Sequence, residues 1–278
     1  MEEHVGWIAQ GVNHLLGPVA LKVYALLHLQ PENAALPIPQ HVATGLFVLV
    51  LLTLVALIVR LRLSVEKPGM LQQMAEGILT NSQGFGIKDL LVENTGRDGI
   101  GHVPFVGAIS VFILFSNLLG AFPNTLVSAP TGNVTVPLGC AILTFLYFNY
   151  SGFAHHGMAK YILTFAGSPH SAGDWALAIL LFPVELISTT ARLLSLTVRL
   201  WANMYASDLI YVIFLGLLTS ATTGAWSKSV AAGALVGVFA AVLPVAFIGL
   251  HIFVSVIQAY VFTVLPSVYL GMATSEEH

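Results

Sequence analysis

The stretch PVELISTTARLLSLTVRLWANMYASDLI, residues 183–210, decides the fold. It is apolar enough to sit in lipid, yet it carries Glu185, Arg192 and Arg199 at seven-residue spacing, with Ser188, Ser195 and Asn203 between and after them. At about 100° per residue, these six side chains leave an α-helix within a sector of roughly 80°. Asp208, nine residues past Arg199, points to the opposite side. A charge at the centre of a bilayer costs about 2.5 to 3.5 kcal/mol on insertion scales, so each of these groups needs a protein or water partner. The stripe is therefore a candidate functional site.

Arginine stays protonated at any accessible pH and cannot relay a proton. It can lower the pKa of a carboxylate within about 4 to 6 Å, typically by 1 to 3 units, and so make an arriving acid release its proton. Arg199 sits mid-run with no carboxylate at i±3 or i±4 spacing, which fits such a counter-charge. For Arg192 a static ion pair or helix cap is an equal reading.

Outward from this stretch the composition keeps the same character. The 278 residues are 56% hydrophobic and only 8% charged, with mean hydropathy +0.86, whereas soluble domains are about 25% charged. This predicts an all-α polytopic membrane protein. One cysteine, Cys140, excludes an intrachain disulfide. No run of like charges points to nucleic acid, and no GxxxxGK[ST] sequence points to nucleotide binding. The acidic start MEEHVGWIAQ lacks the basic region and cleavage site of a signal peptide, so the N-terminus is expected to be retained.

Residues 1–40 read as an extramembrane arm of short interfacial helices broken by Pro18, and 41–278 as one membrane domain. Spans are predicted at 42–59, 103–122 and 134–150. The amphipathic stretch after Pro68, GMLQQMAEGILTNSQGFGIKDLLVEN, is too polar to cross and is expected along the membrane surface. A polar loop is expected to hold His155, His156, Lys160 and His170. Adjacent histidines without spaced Cys or carboxylate partners do not make a metal site, and no metal or other cofactor is expected. Residues 175–218 are helix-permissive for about 66 Å, twice an upright crossing, so they are two helices or one steeply inclined one. Residues 228–270 repeat the pattern, interrupted by Pro244 and Pro266, with His251, Ser255 and Gln258 on one face. With five crossings and the N-terminus outside, Arg60, Arg62, Lys67, Lys88, Arg97 and Lys160 fall on the cytoplasmic side and only Lys22 and Lys228 outside. The C-terminus is then cytoplasmic.

PVELIS, RLLSLTVRLWANMYASDLI and IQAYVFTVLPSVYLGM closely resemble signatures of the a subunit of F-type ATP synthases. KPGMLQQMAEGI, VPFVGAISVFILFSNLLGAFP and TGNVTVPLGCAI extend the resemblance over nearly everything from Val42 onward, in family order. It implies a proton-conducting stator subunit in an energy-transducing bilayer, such as the bacterial cytoplasmic membrane. Its partners would be a rotating ring of c subunits and the b subunits of the peripheral stalk, with H⁺ as the transported ion and nucleotide chemistry on other subunits. Two aqueous half-channels would load and unload the ring's carboxylates, with Arg199 between them and two long inclined helices following the ring.

The resemblance further implies that Asp208 and His251 line the half-channel on the non-cytoplasmic side. Glu185 would belong to the cytoplasmic exit, and Asn203 and Gln258 to polar positions near the arginine; Ser195 on the stripe is a further pathway candidate. His251 could instead be packed and hydrogen-bonded to a neighbouring helix, and Glu185 could simply favour the dipole of a nearby helix start. Asp208 stands where many members have Glu, and Leu193 where Pro is frequent. Gly120 occupies a spot where some bacterial members place a carboxylate, which leaves Asn117, His170 or water for the access route. Arg192 and Ser255 complete the weaker candidates. Two rival classes are a self-contained ion-coupled transporter and a haem protein; the latter needs paired axial histidines, and only His251 lies deep enough.

Overall fold

The computed structural model describes residues 6–31, 33, 35–80, 86–121, 129–167, 172–227 and 229–274. Among them there is no strand. The helices are α1 (Trp7–Leu26), α2 (Gln40–Leu61), α3 (Met70–Leu79), α4 (Ile87–Thr95), α5 (Gly99–Leu119), α6 (Thr135–His156), α7 (Met158–Phe165), α8 (Ala172–Trp226) and α9 (Val230–Thr274), with 3₁₀ turns at Gly96–Asp98 and Pro130–Gly132. Five runs are long and apolar enough to cross a membrane: Gln40–Leu61, Ile87–Leu119, Thr135–His156, Leu177–Trp226 and Pro244–Thr274.

The long segments resolve what the sequence left open. Helix α8 is a single helix of 55 residues through Pro183, about 80 Å long, and α9 runs 45 residues, about 68 Å, against roughly 30 Å of hydrocarbon. Pro244 and Pro266 do not interrupt α9. A proline forfeits one backbone hydrogen bond and strains its turn. In lipid, leaving the helix would strand many more peptide groups with no water to bond them, so the helix continues. Helix α1 likewise runs through Pro18 as one element of 20 residues, and the short broken helices expected there are not what forms.

The surface stretch after Pro68 divides into α3 and α4. His155 and His156 lie in the last turn of α6, correcting the expected loop, and Lys160 lies on α7. Histidine side chains near a helix C-terminus can donate to its last carbonyls. Gly157, at φ +77, then ends α6 with a positive φ that glycine adopts without penalty.

Two groups of segments form separate compact units. The first comprises Met1–Leu51, Ile113–Val136 and Leu200–Gln258. Here Ala9, Ile38 and Ala43 form a small core with Val12 and Ala20. Asn13 clamps one peptide beside it: its Nδ2 donates to Ile38 O and Ala9 O, and its Oδ1 accepts from Ile38 N, all at 2.9 Å. Every hydrogen-bonding atom of this buried amide is used, so its burial costs little.

The second unit comprises Leu52–Phe112, Pro137–Arg199 and Ala259–His278. Its core gathers Ile87, Leu91, Val106, Phe148, Tyr161, Leu270 and Ala273. Helix α9 comes close enough to α4 that a Cβ on Gly271 would collide with the Asn94 carbonyl, which is why glycine stands there. Polar contacts set the register: Asn94 Nδ2 donates to Ser267 Oγ at 3.2 Å and Thr263 Oγ1 to Ser110 Oγ at 2.8 Å. Such interhelical bonds matter where apolar contact with a neighbour is no better than contact with lipid.

Candidate functional site

Within the first unit, α8 and α9 bring the best-furnished polar cluster together. The buried face of α8 follows Leu200 and Met204 at i+4 spacing and continues to the half-buried Ser207 and Asp208. On α9, His251, Ser255 and Gln258 are 5%, 0% and 6% exposed, so the face predicted from periodicity is a buried one. His251 Nδ1 lies 2.8 Å from Ser207 Oγ, and Nε2 lies 3.0 Å from the backbone oxygen of Asn117. A carbonyl oxygen only accepts, so Nε2 carries the hydrogen and Nδ1 is the nitrogen that can gain or lose one.

Around this imidazole lies a cavity of about 20 Å³ lined by Ser207, Asp208, Tyr211 and His251, with Gly120, Ala121, Phe247 and Ile248 completing the wall. That is room for about one water molecule among polar partners. Gly120 makes the cluster possible, and Gly132 borders it at contact distance. A Cβ on Gly120 would come within 2.9 Å of His251 Nε2 and of Ala129 Cβ, and one on Gly132 within 3.4 Å of Asp208 Oδ2. Asn117, fully buried, accepts from Thr131 Oγ1 at 2.6 Å. Its Nδ2 has no partner among the described residues.

Within the second unit, Arg192 Nη2 lies 3.3 Å from Glu185 Oε1, and its guanidinium sits 5.5 Å from the centroid of the Tyr269 ring. The static ion pair considered for Arg192 is thus formed. Glu185 lies well inside α8 and not near its start, which overturns the helix-dipole alternative. The pair borders a cavity of about 340 Å³ also lined by Tyr161, Thr189 and Met272. On α7, burial raises the pKa of the Tyr161 phenol; Arg192 opposes this and Glu185 adds to it.

Beyond Arg192 the stripe turns outward: Ser195, Arg199 and Asn203 are all exposed. No carboxylate among the described residues pairs with Arg199. His170 lies outside the described residues. Sequence reasoning passed over Ser207, although it adjoins Asp208, and Tyr269, which stands eleven residues after Gln258 and so continues the same helical row. Among the described residues no group of three or more His, Cys, Asp or Glu is placed to hold a metal.

The chain matches known proteins over most of its length. The family described as ATP synthase A chain matches residues 42–271. The chain is 35% identical over 281 residues to a protein of Koribacter versatilis named ATP synthase subunit a, covering 99% of each chain. A Solibacter usitatus protein of the same name is 36% identical over 266 residues, covering 96% of this chain and 99% of the relative. A polytopic helical protein with a polar stripe on its longest helix, matched in family and relatives over nearly its full length, belongs to the ATP synthase A chain family.

Proposed function

We propose that this chain is the proton-translocating stator subunit of an F-type ATP synthase, working against a ring of c subunits and held by the b subunits of the peripheral stalk. Two half-channels load and unload the ring's carboxylates. On the non-cytoplasmic side protons reach the ring by way of Asp208 and His251; on the cytoplasmic side they leave by way of Glu185. Arg199, which follows Glu185 and precedes Asp208 along α8, attracts each arriving deprotonated carboxylate and blocks direct leakage between the channels. Asn203, Gln258 and Ser195 supply polar surface along the route. The long α8 and α9 lie inclined in the bilayer, with the N-terminus outside and the C-terminus in the cytoplasm. ATP chemistry belongs to other subunits.

The observation that carries this reading is the guanidinium of Arg199, exposed mid-helix with no carboxylate partner among the described residues. A charge in a membrane span needs a partner, and an anionic group outside the chain can supply it. A passing ring carboxylate meets that requirement. The test is Arg199→Ala in the assembled complex, read as ATP-driven proton pumping and passive leak. Pumping is abolished while the complex still assembles, and Arg199→Lys fails as well, because an ammonium is a compact charge that can be neutralised. Near-normal pumping by Arg199→Ala refutes the assignment.

A further inference from the structure

His251 has two ring nitrogens but only one open to exchange. Nε2, 3.0 Å from the Asn117 backbone oxygen, keeps its hydrogen in the neutral and in the charged ring, because the carbonyl has none to give. A proton passed to that carbonyl has no onward path. The same edge of the ring lies against Gly120, where an added Cβ would meet Nε2 at 2.9 Å and Cε1 at 3.1 Å. Nδ1 instead faces Ser207 Oγ at 2.8 Å, and Ser207 shares its water-sized cavity with Asp208 and Tyr211. A hydroxyl can reverse its role: it donates to Nδ1 of the neutral ring and accepts from Nδ1–H of the imidazolium.

We propose that Ser207 is the positioning residue through which His251 exchanges its proton: the imidazole loads and unloads at Nδ1 alone, by way of the Ser207 hydroxyl. His251 is therefore a proton store beside Asp208, not a link that takes a proton on one nitrogen and releases it from the other. In loading, a hydrated proton in the cavity, or the protonated Asp208, gives its proton to Ser207 Oγ while the Ser207 hydroxyl proton moves to Nδ1. One O–H bond breaks at the donor and one at Ser207; one O–H forms at Ser207 and one N–H on the ring. The ring gains one positive charge and the donor loses one proton; unloading is the reverse. The titratable groups facing the ring are Asp208 and Tyr211, both from α8. Among the described residues the end of α5, the turn at 129–132 and the cavity-lining part of α9 add none.

This inference rests on the assignment of Asp208 and His251 to proton uptake, and the experiment separates the two. The assembled complex in vesicles is assayed for synthesis rate against pH on the non-cytoplasmic side. His251→Gln keeps a donor for the Asn117 carbonyl but cannot ionise, and it defines the part of the profile that depends on the imidazole. Ser207→Ala removes that same part and slows uptake by about tenfold or more. Ser207→Thr restores both, and Ser207→Ala with His251→Gln is no slower than the slower single variant. The inference is overturned if Ser207→Ala keeps the normal profile, if Ser207→Thr is as impaired as Ser207→Ala, or if the two losses multiply. If Asp208→Asn and His251→Gln both leave uptake unchanged, the uptake assignment itself fails and the inference with it. If those two are impaired while Ser207→Ala is normal, only the role of Ser207 falls.

Discussion

Arg192 and Arg199 are the same residue type, seven positions apart on one stripe, and their surroundings differ. Arg192 is held by Glu185 and by the Tyr269 ring, with the pair's side chains 21% and 41% exposed. Partly solvated pairs of this kind contribute about 1 kcal/mol or less. Arg192→Ala is therefore expected to leave assembly intact and to lower ATP-driven pumping by no more than a few fold, where Arg199→Ala abolishes it; equal loss in the two variants contradicts this division of labour. Gly120 makes a sharper case. An alanine there brings Cβ to 2.9 Å from His251 Nε2, so the imidazole must leave the Asn117 carbonyl or the backbone must shift. Overpacking of this sort costs about 1 to 3 kcal/mol. Gly120→Ala should lower the melting temperature of the complex and slow proton uptake together; retention of both would show that the ring has room that the geometry denies it.

At the scale of elements, helix α1 is attached by a side-chain amide as well as by a small apolar core. Leu15, Val19 and Leu26 are exposed, while Asn13 is buried and joined to Ile38 by a two-way bond. Asn13→Ala leaves the Ile38 N–H and C=O without that partner, at about 1 to 3 kcal/mol for each buried group left unpaired. Limited proteolysis of the complex should then cut faster between α1 and α2, whereas an unchanged cleavage rate would mean that other contacts hold the arm. Gln72 repeats the device in the second unit: its Oε1 accepts from Ser64 N and its Nε2 donates to Ser64 O, each at 3.0 Å. Two amides, one in each unit, thus perform the same task of tying a helix to the chain segment beside it.

For the molecule as a whole, the exposed surface decides what surrounds it. Only 11% of the most apolar window of the Leu177–Trp226 run is buried within the chain, which leaves most of α8 to lipid or to another subunit. A helix that is apolar nearly all round but carries an exposed arginine is incomplete alone. The chain reconstituted by itself in liposomes is accordingly expected to carry out no ion or solute transport, and activity should return only with the ring; transport by the isolated chain would favour a self-contained ion-coupled transporter. Much of this architecture is legible in the sequence. Spans emerge because crossing a bilayer depends on local length and hydropathy, and the stripe and the His251, Ser255 and Gln258 face emerge because helical periodicity is local too. The sequence left open whether residues 175–218 form one helix or two, since the penalty of one proline is local while the cost of exposing unpaired peptides depends on the solvent around the helix.

By itself the sequence determined that this is a helical membrane protein with five crossings and a charged stripe on its longest helix, because hydropathy and periodicity are written in neighbouring residues. The tertiary structure decided that Arg192 keeps a carboxylate and a ring while Arg199 faces outward, and that His251 is seated between Ser207 and the carbonyl of Asn117, 134 positions away in the chain. The physical reason is that a hydrogen bond or an ion pair is settled by which surfaces pack together. That packing joins residues whose separation along the chain carries no mark of their contact.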